Sequence, residues 1–71
     1  MDFARKIKEI RLHNFLSQEE FAKVLGVSYA TVYRWESGRT IPNIRAMNKI
    51  DEYCKTEHIN YDIRDWTQTD K

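Results

Sequence analysis

Seventy-one residues with two glycines, one proline and 41% hydrophobic side chains specify one small domain, which buries only about 60% of the surface its unfolded chain exposes. A single cysteine, Cys54, leaves no internal disulfide, and with His13 and His58 it supplies too few soft ligands for a structural zinc set, so neither metal nor cofactor is expected. The net charge of +1 is unevenly spread, with nine Lys/Arg against five Asp/Glu in residues 1–50 and three against six in residues 51–71, a basic body that suits phosphate and an acidic tail that does not.

In chain order, Phe3, Ile7 and Ile10 recur at i, i+4 and i+7, which predicts an amphipathic helix over about Asp2 to Asn14 with Arg5, Lys6 and Lys8 outside. Ser17 precedes Gln18-Glu19-Glu20 as an N-cap with Glu at the third helical position, the reciprocal pattern of a capping box. Phe21, Ala22 and Leu25 give this second helix its apolar side, and Gly26 ends it. Val27 returns to the core, Ser28 caps a third helix, and Val32 and Trp35 form its inner side until Gly38 stops it. Arg39 to Asn43 read as a loop, because Pro42 disfavours α conformation at Ile41 and Asn43 suits a cap. Ile44, Met47, Ile50 and Cys54 then keep helical spacing through a fourth helix to about Lys55 or Glu57. Ile59, Tyr61, Ile63 and Trp66 fit a strand or a short fifth helix, with helix after Asn60 preferred.

The expected fold is all-α, a compact four- to five-helix bundle whose residues 17–37 make a helix-turn-helix. Residues 1–58 form the domain and 59–71 an acidic C-terminal segment, a dimer or partner surface or simply a lid on the core. A short first helix and tight turn hold the second helix of such a unit proud of the body, where it can enter the roughly 12 Å major groove of duplex DNA. With Val32 and Trp35 inward, helical phase turns Tyr29, Ala30, Tyr33 and Arg34 toward base edges. Arg34 is the best reader, since a guanidinium bonds bidentately to guanine; each tyrosine could meet a thymine methyl, a phosphate or its own neighbours.

The stretch SQEEFAKVLGVSYATVYRWESG, with Arg11 before it and Pro42 after it, resembles the lambda-repressor-like, or Xre-type, helix-turn-helix family from about Ile7 to Ile50. That resemblance implies a phosphate contact and a brace from Gln18, and a largely buried ion pair between Arg11 and Glu36, against the alternative of an exposed Glu36 paired with Arg39. Ser28, Arg39, Thr40 and Asn43 are the further phosphate candidates, helped by amides at helix N-termini. Phe15 stands where the family often has glycine, so Asn14 or an altered turn is expected to reverse the chain.

Together these features predict a cytoplasmic, non-enzymatic, repressor-like regulator that binds double-stranded DNA, with no membrane span and no ligand-sensing domain. It would act as a homodimer on an inverted repeat with half-sites about 34 Å apart, with the C-terminal segment open to a protein partner. An antitoxin using the same DNA reader, and a protein-interaction module without DNA binding, are the rival readings. No arrangement of Ser, His and Asp in the sequence places a nucleophile beside a base.

Overall fold

The computed structural model describes residues 3–59, which form four helices and, among those residues, no strand. They are α1 Phe3–His13, α2 Gln18–Leu25, α3 Tyr29–Glu36 and α4 Ile44–Thr56, an all-α arrangement in which α3 packs on both α1 and α2 while α2 also meets α4. The proposed fifth helix, with Tyr61, Ile63 and Trp66, lies outside the described residues.

Each of the last three helices starts on a side-chain cap. Ser17 Oγ accepts from the Glu20 backbone N–H at 3.0 Å and Glu20 Oε1 accepts from the Ser17 N–H at 2.9 Å, a complete capping box. Ser28 and Asn43 do the same work for α3 and α4, accepting from Thr31 and Ala46.

All four helices stop in the same way. At each end one N–H bonds back three residues and the next bonds back five, the Schellman arrangement that requires a left-handed residue between helix and loop. Gly26 (φ 73°) and Gly38 (φ 79°) take that position after α2 and α3. After α1 and α4 it falls to Phe15 (φ 58°) and His58 (φ 58°). The reversal after α1 is therefore made by Phe15 itself and not by Asn14. Leu16 N–H reaches the Arg11 carbonyl, and Leu16 packs against the core, a hydrophobic contact that often accompanies this motif.

The core collects Phe3, Ile7, Ile10, Phe21, Leu25, Val32, Trp35, Met47, Ile50, Cys54 and Ile59, with Phe21 and Tyr53 meeting edge to face at 5.5 Å between ring centres. Ile59, which the sequence assigns to the C-terminal segment, is thus a core residue. Ile44 corrects the predicted stripe of α4, because it is 78% exposed. The buried positions are Ala46, Met47, Ile50, Tyr53 and Cys54, and at 3.6 residues per turn the first residue of the helix falls off that stripe.

Candidate nucleic-acid interface

Burial of Val32 and Trp35 sets the rotation of α3 about its own axis. Phase then leaves Tyr29, Ala30, Tyr33 and Arg34 on the outer side, and all four are exposed. Tyr29 and Tyr33, one turn apart, lean together with ring centroids 6.4 Å apart and planes at 30°. The Arg34 guanidinium makes no ion pair and no hydrogen bond within the described residues, so its five donors stay available.

Beneath this face lies one polar cluster. Arg11 Nε donates to Glu36 Oε2 at 2.6 Å and its Nη2 to Oε1 at 2.9 Å, while Nη1 donates to the Leu16 carbonyl at 2.7 Å. Gln18 Nε2 adds a fourth bond, to Glu36 Oε1 at 3.0 Å. The two charged side chains are only 10% and 6% exposed, so the fork geometry and the extra bonds must offset a considerable loss of hydration. Arg11 of α1 and Gln18 of the first turn of α2 therefore converge on the last residue of α3, while the link after α1 holds Arg11 through the Leu16 carbonyl. Glu36 has no salt bridge to Arg39, and the exposed-pair alternative does not occur. Gln18, half-buried, has committed one amide hydrogen to Glu36 and keeps its other hydrogen and its oxygen.

Around the rim, Ser28 and Asn43 use their side-chain oxygens first as caps; Ser28 Oγ also lies 2.9 Å from Thr31 Oγ1. Arg39 and Thr40 are exposed, with no side-chain hydrogen bond within the described residues. Arg45 and Lys49, to which helical periodicity assigns no role, line with Thr31 and Asn43 a polar hollow of about 320 Å³ between α3 and α4. Their signal in the sequence is the basic surplus of the first fifty residues. Asn14 Nδ2 donates to the Tyr53 hydroxyl at 2.8 Å and to Glu57 Oε1 at 3.0 Å, a tie between the end of α1 and α4 that the sequence pattern does not report.

Cys54 is buried in α4, and desolvation, with the nearby Asp51 charge adding to it, pushes its thiol up to about 11. At neutral pH such a group is a protonated core side chain, not a nucleophile. Among the described residues, no three His, Cys, Asp or Glu side chains gather where a metal could be held.

A family model described as helix-turn-helix matches residues 7–59, three quarters of the chain and every helix except the first turn of α1. The chain belongs to the lambda-repressor-like helix-turn-helix family. This helix-turn-helix domain is similar to the HTH-type transcriptional activator BcrR of Enterococcus faecalis, with 34% identity over 53 residues. The aligned part is 75% of this chain and 26% of that protein, so the chain spans about a quarter of the relative's length. No solved structure matches. No helix of the described residues is long and apolar enough to cross a membrane.

Proposed function

We propose that this helix-turn-helix domain binds duplex DNA with sequence preference, as the DNA-reading part of a transcriptional regulator. The observation that carries the reading is the face of α3: its inner side chains are sunk in the core while Tyr29, Ala30, Tyr33 and Arg34 stand exposed together on a helix of major-groove width. Arg34 supplies the directional base contact. Gln18, Ser28, Arg39, Thr40 and Asn43, with the first-turn amides of α2 and α4, take phosphates on either side. Arg11 and Glu36 act without touching DNA, by holding α3 against α1 and α2.

The domain works as a homodimer on an inverted repeat, since one eight-residue helix reads too few base pairs to find a site alone. Support for regulation comes from the family and from the activator it resembles. The test is selection from a pool of random duplexes, followed by binding of the selected duplex across a salt series. A two-fold symmetric motif whose affinity falls steeply with salt is expected. Absence of any enriched motif, or binding indifferent to salt, would refute the reading.

A further inference from the structure

The outer face of α3 carries two large exposed aromatic side chains, Tyr29 and Tyr33. The two phenol rings and the Ala30 methyl share this face with a single guanidinium, that of Arg34. Tyr29 and Tyr33 are 52% and 47% exposed, and neither hydroxyl has a hydrogen bond within the described residues. Their mutual packing restricts both rings before any partner arrives.

In the major groove, one base differs from the other three in offering a carbon group: thymine carries a 5-methyl, whereas guanine, adenine and cytosine present only donors and acceptors to this side. A ring face pressed on an amine or a carbonyl strips its water and returns no hydrogen bond. Pressed on a methyl, the same face gains by removing apolar surface from water. The ring pair thus selects thymine twice, by attraction to the methyl and by the penalty at the other bases. The centroid separation of 6.4 Å exceeds the rise of one base-pair step, about 3.4 Å, so the two rings can lie over different base pairs.

Building on the DNA-binding reading, we infer that Tyr29 and Tyr33 form a thymine-methyl reader spanning a three-base-pair window beside the Arg34 contact. Each ring covers one 5-methyl group. The hydroxyls are not the recognition element.

The experiment takes the duplex selected by the wild-type protein and replaces each thymine by uracil, one at a time, which deletes the methyl and leaves pairing and the O4 acceptor intact. Binding is measured by fluorescence anisotropy, with circular dichroism to verify the fold of every variant. Two positions within three base pairs in each half-site should lose about fourfold, the equivalent of one buried carbon at about 0.8 kcal/mol, while other thymines show no change. Tyr29→Ala should remove the uracil effect at one position and Tyr33→Ala at the other. Tyr29→Phe and Tyr33→Phe should keep both. A motif whose uracil-substituted forms all bind as well as the original overturns the methyl reader alone, as does a Phe variant that loses as much as its Ala counterpart. Failure to select any motif overturns the DNA-binding reading and this inference together.

Discussion

Removing the Glu36 carboxylate tests what the buried fork is worth. Glu36→Ala takes away the acceptors of Arg11 Nε and Nη2 and of Gln18 Nε2, leaving the Arg11 charge with only the Leu16 carbonyl. At about 1.5–3 kcal/mol for each charge-assisted bond, two such losses agree with the roughly 3–5 kcal/mol typical of breaking a buried pair. A chain of 71 residues has about 4–11 kcal/mol of total stability at 0.05–0.15 kcal/mol per residue, so the single variant loses a large share of it. Arg11→Ala should be comparably harmful, because it strands a carboxylate that is 6% exposed. The double variant strands neither charge and should lose about 2–4 kcal/mol less than the two single losses added together. Urea melts followed by circular dichroism supply the four corners of the cycle. Losses that add, each below about 1 kcal/mol, would mean that the pair behaves as an exposed one and that the energetic role assigned to it is wrong.

Arg34→Ala should cost about 1–3 kcal/mol of specific affinity and relax one base pair of the selected motif, with an unchanged melt; a motif returned at full strength would remove Arg34 from the readers. Arg39→Ala should instead weaken all sequences alike and make the salt slope shallower by about one, whereas a changed motif would put Arg39 in a groove. Phe15→Gly should stabilise the domain by about 1 kcal/mol, or about 4–8 °C in Tm, since Phe15 is 90% exposed and holds a left-handed backbone that glycine adopts without strain; an equal or lower Tm contradicts that conformation. Because the Cys54 thiol is raised from 9.0 to about 11, folding favours its protonated form, and its contribution is intact below about pH 9 and lost as the pH climbs toward 11. Melts across that range should show a decline that Cys54→Ala lacks, and an identical pH dependence in both proteins would refute it.

Much of this fold is written in short-range patterns. Ser17 and Glu20 are three apart, as are Val32 and Trp35, and distances of one helical turn are what caps and phase can report. The left-handed Phe15 escaped because nothing in its side chain asks for that backbone. It is imposed by neighbours: Leu16 bonds Arg11 through both its N–H and its carbonyl and packs on the core besides. Ile44 misled because an apolar residue at the right spacing from Met47 still lies off the stripe that Ala46 and Tyr53 centre. The Arg11–Glu36 fork closes over 25 positions and the Asn14–Tyr53 bond over 39, separations at which periodicity is silent. Only the family resemblance points to Arg11 and Glu36 as a pair, and nothing in the sequence points to the bond between Asn14 and Tyr53. The phase of α3 exposes Tyr29 and Tyr33, but their leaning together is a matter of rotamers that composition cannot report.

The convergence of four hydrogen bonds on and around Glu36 has a mechanical meaning on the DNA-binding reading. Gln18, at the proposed phosphate end, bonds the carboxylate of Glu36 at the close of α3, so the gap between the two points at which the protein would grip the duplex is held by a direct hydrogen bond. A domain of that kind arrives already shaped, and little freedom is left to lose on association. Accommodation then falls to the nucleic acid, which must match the gauge by its groove width and local bend. Base pairs lying between the two grips, touched by no side chain, would still alter affinity through how readily they deform.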